Sequence, residues 1–520
     1  MDFIQNIDAF PIAMSPPRFA GSEIPHSGRC KATERNLSIS NPHKTQTMNT
    51  LYKTLLLLLL STLAYPTVAQ DFSWVEGVGA QSMPEGKTVY QVQDYGAKAD
   101  GTTLNTHSIQ QAIDACAADG GGIVTFATGE YLTGSIYLKE NVHLIIPEGV
   151  TLLGSTDMSH YPLIDTRVAG IEMEWPSALV NVLEQENVMI SGKGKVDGQG
   201  KVHWDRYWST RRDYEARGLR WIVDYDVQRP RTLLVSKSSN VTIRDLTFQK
   251  SGFWTIQLLY SSHCTVQGVI VRNNIGGHGP STDGIDIDSS SDILIEGCDI
   301  DCNDDTFCLK AGRDADGQRV NRPTERIVIR DCISRDGAAL FTCGSETAGW
   351  IRYVLAENLQ AIGTSNGFLL KSALVRGGGA EHIYVRNVNI QGVRNVISVG
   401  VNWNPAYSYS KLPEEYEGKE LPPHWETILQ EVDPEQGIPH FHDIHLSNFT
   451  ATDSERFIRV AGTAESLMEG FSIRNFEVEV QEAGSVSHAR NWEIEHVKVT
   501  ATDGGQVVVE DSQGVSFEEE

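Results

Sequence analysis

The stretch NVTIRDLTF, Asn240–Phe248, carries apolar residues at its second, fourth, seventh and ninth positions: Val241, Ile243, Leu246 and Phe248. The pattern returns in HCTVQGVIV (His263–Val271) and DILIEGCDI (Asp292–Ile300). It recurs at Ile383, Val385, Val388 and Ile390, at Phe471, Ile473, Phe476 and Val478, and at Trp492, Ile494, Val497 and Val499. Period-two alternation marks strands, and the break between the fourth and seventh positions marks a tight bend between two of them. The first apolar residues of successive units fall at 241, 264, 293, 327, 354, 383, 444, 471, 492 and 515, so most intervals run 21 to 34 residues. A unit that short, with no helix inside it, cannot bury its own apolar face, and neighbouring units must stack as coils. The reading is an all-β fold, a right-handed parallel β-helix.

The one long interval, between 383 and 444, marks an inserted loop near 404–437 rich in Pro, Glu, Tyr and Trp. Near the front, Asn105 and Thr106 precede Ile109, Ala112, Ile113 and Cys116 on one helical face. A short helix there predicts a cap over the first coil, whose strand edges would otherwise stand bare. Residues 1–47 lack a sustained apolar period and are read as a non-native, disordered N-terminal extension. Met48 opens MNTLYKTLLLLLLSTLAYPTVAQ, in which Lys53, the apolar run Leu55–Ala64 and the small residues Thr67-Val68-Ala69 give 48–69 the form of a secretory signal. The expectation is a single β-helix domain over 70–520, monomeric, and secreted or periplasmic once the signal is removed.

The formal charge is −25, and because the segment through Ala69 is net basic, the remainder is more acidic still. Such a chain argues against nucleic acid or an anionic membrane as partner. Beyond the signal region no apolar run approaches the roughly 18 to 20 residues of a spanning helix. Of the eight Cys only Cys30 precedes Met48, and several of the others sit at apolar strand positions. This predicts buried thiols rather than a disulfide framework.

With coils as rulers, STDGIDIDSS (Ser281–Ser290) and CNDDTFCLKAG (Cys302–Gly312) acquire a geometry. Ile285, Phe307, Phe341 and Phe368 form one inward column, and Ile287, Leu309, Cys343 and Leu370 the next. Asp283 then stacks on Asp305, with Asp304 beside them at the bend, while Asp288, Lys310 and Lys371 share an outward column. A lone Asp-Asp pair is most often a solvated bend. Three mutually repelling acids on adjacent coils need a further reason, and carboxylates flanking a bond are the apparatus of glycoside hydrolysis. Asp286 and Asp288 are read as solvated or substrate-lining.

At these residues the chain resembles the polygalacturonase family of glycoside hydrolases, whose fold is the right-handed parallel β-helix. The resemblance also covers VQDYGAKADGTTLNTHSIQQAIDACAADGGGIVTFATGEYLTGSIYLK (Val92–Lys139) and ISGKGKVDGQG (Ile190–Gly200). It implies Asp304 as the general acid and Asp283 with Asp305 as the base that activates water, with no cofactor and no metal. The family's later His and Arg are replaced by Ala339 and Leu369, whereas Lys371 is kept. Rhamnogalacturonan hydrolases show a similar loss. This favours a pectic backbone in which galacturonate is joined to rhamnose, with Leu369 facing the sugar methyl.

A second likeness, LKAGRDADGQRVNRPTERIVIRDC (Leu309–Cys332), is to exo-acting bacterial members. From Lys310 to Arg335 it carries seven basic residues against four acidic ones. Lys310, Arg313, Arg319 and Arg322, with Lys371, are therefore expected to bind an acidic saccharide, because guanidinium groups pair bidentately with carboxylates. His278 is placed in a turn near the cleft, and Trp403 and Tyr407 are candidates to stack on sugar. The alternatives are an exo-polygalacturonase on homogalacturonan, a β-elimination lyase on the same fold, and a non-catalytic saccharide-binding solenoid.

Overall fold

The computed structural model describes residues 72–81 and 88–517. The extension over 1–47 and the signal segment over 48–69 lie outside the described residues. Each repeat forms one coil of three short strands, and each strand pairs in parallel with its equivalent one coil on. Leu233–Ser236, Ser239–Arg244 and Thr247–Gln249 are followed by Ile256–Leu259, Ser262–Gln267 and Ile270–Arg272, with Val235 opposite Leu258, Val241 opposite Cys264 and Phe248 opposite Val271. The stack is a right-handed parallel β-helix with its core inside the coils. Toward the C-terminus the second and third strands fuse across the bend, as in Ile351–Ile362 and Gly379–Gln391.

The bend expected between the fourth and seventh positions is one left-handed residue. Asp245, Gly268, Gly297, Asp331, Asn358, Asn387, Asn448 and Asn475 all occupy it, with φ between 56° and 64°. Only Gly, Asn and Asp enter that region at low cost, which explains the composition of the position. The asparagines also form a ladder: Asn387 donates to Asn358, Asn448 to Asn387 and Asn475 to Asn448, at 2.9 to 3.0 Å.

The capping helix is Thr106–Ala118, and Ile109, Ala112, Ile113 and Cys116 are its buried face. Asn105 secures the entry differently from a side-chain cap. Its amide donates to the Lys98 and Thr103 carbonyls, and its Oδ1 accepts the Lys98 N–H. Cys264, Cys298, Cys302, Cys308, Cys332 and Cys343 are buried thiols.

Four excursions interrupt the coils, each at an end of a strand in the sheet that carries Ile285–Asp288. They are the antiparallel hairpin Leu163–Val168 with Ile171–Pro176, the helix Lys201–Ala216 with the turns after it, the short helix Asp314–Val320, and the loop after Gly400, which contains the helices Pro405–Ser408 and Pro423–Ile428. The helix Lys201–Ala216 is hidden from a reading of apolar periods because its buried face, His203, Trp204 and Tyr207, is sparse and polar-tipped.

The bend ladder makes a test. Asn387→Ala forces an L-residue with no local hydrogen bond into the left-handed region, whereas Asn387→Gly keeps the backbone at ease and loses only the amide bonds. Denaturation should show the alanine variant less stable than the glycine variant by about 1–2 kcal/mol. Equal midpoints would mean that the backbone conformation is not what selects the residue.

Candidate active site

Four strands of one sheet build the site floor: Ile285–Asp288, Asp305–Lys310, Ala339–Cys343 and Asn366–Lys371. Their register sets Ile285, Phe307, Phe341 and Phe368 in one column and Ile287, Leu309, Cys343 and Leu370 in the next, all buried. The Phe341 and Phe368 rings stack at 5.7 Å, which locks the register. Two residues before the first column lie Asp283 and Asp305 on neighbouring coils. Asp304 joins them at the bend, where its Oδ1 accepts the Asp305 N–H at 3.0 Å.

Two lysines neutralise this floor. Lys371 Nζ donates to Asp305 Oδ2 at 2.7 Å. Lys310 Nζ lies 3.7 Å from Asp283, 3.5 Å from Asp286 and 3.6 Å from Glu346. Both lysines are buried under tryptophan faces, Lys310 beneath Trp254 and Lys371 beneath Trp403, with 5.0 Å and 4.6 Å to the ring centroids. Asp283 Oδ1, Asp305 Oδ1 and both Asp286 oxygens are buried without a hydrogen-bond partner.

The environments separate the carboxyls. Burial and the adjacent Asp305 charge push Asp304 up to about 6 against the pull of the two lysines. Burial acts on Asp305 too, but Lys371 and Lys310 outweigh it and hold that carboxyl below its ordinary range. Asp283 is driven well up by burial and by Asp286 and Asp304, and Asp286 is pushed up to about 8, mainly by burial. The site therefore presents a proton-bearing acid, Asp304, beside a carboxylate kept ionised, Asp305, with Asp283 facing the same space. Such a pair can protonate a leaving oxygen and activate water.

Above the floor lies a cleft of about 500 Å³ lined by Asp283, Asp304, Asp305, Lys310 and Lys371 together with Ala169, Arg220, Asp224, Phe253, Trp254, Ser281, Ser345, Glu346, Trp403 and Tyr407. Ala169 comes from the hairpin, Arg220 and Asp224 from the excursion after Lys201, and Trp403 and Tyr407 from the loop after Gly400. Arg313 bolts three of these walls together. Its guanidinium donates to Asp314, to the Tyr225 hydroxyl and to the Tyr407 carbonyl, and its N–H donates to the Gly170 carbonyl. The approach is so close that a Cβ on Gly170 would stand 2.4 Å from that of Arg313. The Tyr225 hydroxyl in turn donates to the Ala169 carbonyl at 2.8 Å.

The remaining sequence-predicted residues divide. Trp403 is in the cleft, and Tyr407 is 6% exposed, contributing to the wall more than to an open sugar platform. Arg313, expected to bind saccharide, is fully buried and spends its donors on the walls. Arg319 is paired outside the cleft with Glu172 and Asp316, and Arg322 donates to the Tyr260 carbonyl. The basic excess of that segment is consumed by cross-coil ion pairs, Arg326 with Asp292, Arg330 with Glu296 and Arg335 with Asp299. His278 is exposed and stacks on Trp208 away from the cleft lining.

Asp286 and Asp288 are not solvated. Both are fully buried, and Asp288 pairs with buried Arg167 at 2.9 Å. Ala339 and Leu369 are buried, at 0% and 7% exposure, and neither lines the cleft. Arg220, Asp224, Trp254 and Glu346 were missed. Arg220 and Asp224 lie on an excursion and Glu346 in the turn after Cys343, outside the repeat; Trp254 alone of the four sits at a coil-fixed position, two residues before Ile256, the coil partner of Ile285.

Among the described residues, Asp283, Asp305 and Cys308 offer atoms within 4.8 Å of one another, as a cation site would. The positive charge is already supplied there by Lys371 and Lys310, and burial holds the Cys308 thiol protonated.

A solenoid with paired carboxylates in a walled cleft has the layout of a carbohydrate-processing β-helix. The chain belongs to the glycosyl hydrolases family 28, whose profile matches residues 124–413. A probable polygalacturonase of Vitis vinifera is 31% identical over 312 residues, 58% of this chain and 60% of that protein. An exo-poly-alpha-D-galacturonosidase of Dickeya chrysanthemi is 27% identical over 403 residues, 70% of this chain and 62% of that protein. The chain thus spans about three fifths of the length of each. Two exopolygalacturonase structures share the fold. The one from Thermotoga maritima has a TM-score of 0.65 and 24% identity, covering 81% of this chain and 94% of its own. The one from Yersinia enterocolitica has a TM-score of 0.67 and 22% identity, covering 83% and 79%.

The carboxyl assignments can be read directly. In carboxyl-carbon NMR, with the signal assigned by its loss in Asp304→Asn, Asp304 should titrate with a midpoint of about 6. Lys371→Met should raise the midpoint of Asp305, because the paired cation is what holds it down. A midpoint for Asp304 in the ordinary carboxylate range, near 4, would remove it as a proton donor at neutral pH.

Proposed function

We propose that the protein hydrolyses the glycosidic bonds of a galacturonic-acid polymer, acting from a chain end with inversion at the anomeric carbon. Asp304 protonates the leaving oxygen and Asp305 takes the proton of the attacking water, while Asp283, expected as a second base, has its carboxyl driven well up and serves to hold that water. The observation that carries this reading is the pairing of a carboxyl pushed up to about 6 with an adjacent carboxylate held ionised by Lys371, both lining one cleft. Chain-end action is supported by the walls. Three separate excursions meet on the cleft and are bound to one another, so a polymer running straight through would have to part them. The likeness to the Dickeya chrysanthemi exo-poly-alpha-D-galacturonosidase points the same way.

Cleavage next to rhamnose was expected from an apolar Leu369 on the cleft face. Leu369 is buried outside the lining, so that preference loses its support. A β-elimination would need an uncharged lysine or an arginine as base. Lys310 and Lys371 are both held more firmly protonated by the acids around them.

On homogalacturonan, the first turnovers should release short products while viscosity stays nearly unchanged. A rapid fall in viscosity with long fragments would refute the chain-end reading, and an unsaturated product absorbing in the ultraviolet would replace hydrolysis by elimination. The rate should fall about tenfold per pH unit once pH rises through about 6, because only protonated Asp304 can serve the leaving oxygen. A kcat/KM that stays flat from pH 6 to 8 would contradict that role.

A further inference from the structure

We propose that Arg220 binds a substrate carboxylate at the walled side of the cleft, supplying from an excursion what positions 339 and 369 do not supply from the coils. This rests on the galacturonate reading above. Arg220 opens the 3-10 turn Arg220–Ile222 and lines the cleft with Asp283, Asp304 and Trp403. Its side chain is 12% exposed and held in place: Nη1 donates to Asp224 Oδ2 at 2.7 Å, and the guanidinium lies over the Tyr407 ring at 5.0 Å. Nε is buried without a hydrogen-bond partner, the nearest acid oxygen, Glu215 Oε1, being 3.7 Å away.

The charge around Arg220 is only partly compensated, because both of its acidic neighbours are shared: Glu215 also pairs with Arg211 at 2.7 Å. Asp224 is shared with a second guanidinium, Arg229 at 3.3 Å, and also accepts from the Ser281 hydroxyl at 3.3 Å. Two carboxylates, Asp224 and Glu215, thus stand against three arginines, Arg211, Arg220 and Arg229. The other cations in the lining are committed: Lys371 to Asp305, and Lys310 to Asp283, Asp286 and Glu346. Arg220 is the guanidinium among the cations of the cleft lining. Its rigid fork suits a carboxylate better than an ammonium does, and the Tyr407 face fixes its plane without taking a donor.

The test compares trigalacturonate with its fully methyl-esterified form, on the wild-type chain and on Arg220→Gln and Arg220→Lys. The wild type should prefer the free acid at least tenfold in kcat/KM. Arg220→Gln should cut that preference by at least tenfold, chiefly through KM on the free acid, and Arg220→Lys should restore part of it. Both rates come from one preparation, so any inactive fraction cancels in the ratio. An unchanged preference in Arg220→Gln overturns the assignment while the galacturonate reading stands. A wild type that hydrolyses neither form overturns the reading itself, and this assignment with it.

Discussion

Lys310 stands between Asp283, Asp286 and Glu346, buried beneath Trp254, and the chemistry of the site depends on that one ammonium. A parallel β-helix stacks like positions on like, so an acid repeated on adjacent coils meets its own charge at the spacing of a β-sheet. Buried carboxylates in such contact would simply take up protons. Lys310 and Lys371 prevent this, but only in part: five acids, Asp283, Asp286, Asp304, Asp305 and Glu346, face two lysines. The shortfall means that some of these groups must hold a proton at neutral pH. Asp283 and Asp286, pushed furthest up, hold theirs there; Asp304, the least buried of the five, keeps a proton within reach of the cleft up to a pH of about 6, while Asp305, in direct contact with Lys371, does not. Acid and base thus arise from two adjacent residues of one type through an unequal share of counter-charge.

The same demand for compensation extends into the walls. Arg313, Arg167 and Arg376 are fully buried and each meets an acid: Asp314 for Arg313 and Arg376, Asp288 for Arg167. Removing either member of such a pair would leave an uncompensated buried charge, which typically costs about 3–5 kcal/mol. The walls are therefore held to the coils by these ion pairs together with an apolar cluster that runs from Trp175 of the hairpin through Trp221 and Tyr225 to Trp425 of the loop and packs on Phe253 and Trp254 of the coils.

The coils were legible because two short-range rules fix them: alternation across a strand, and a left-handed bend that admits Gly, Asn or Asp. From Val241 onward those rules set the register, and the register set Asp283 over Asp305. The capping helix was legible for the same reason, its face being four apolar residues at helical spacing. The excursions obey no repeat. Helix Lys201–Ala216 shows no apolar period, and Arg220 is one arginine among several in a polar stretch, with nothing local to say that it returns to the site. The segment from Lys310 to Arg335 misled because composition does not reveal pairing. Its arginines look like an anion-binding surface until Asp292, Glu296 and Asp299 are found opposite them on the preceding coil. Leu369 misled in another way: it alternates outward, as expected, yet it is buried and does not line the cleft.

The central claim is that coil register alone brings Asp304 to the leaving oxygen of a bound saccharide. It is tested most directly by the turnover of Asp304→Asn on galacturonate oligomers, with the melting temperature measured in parallel. The substitution removes the proton donor without changing side-chain volume. Turnover should fall at least about 10²-fold, the lower bound for losing a positioned general acid, with melting unchanged or raised by relief of a buried charge. Retention of more than about a tenth of wild-type turnover by a folded variant would show that another group donates the proton, and that the stacked carboxyls are not the catalytic apparatus.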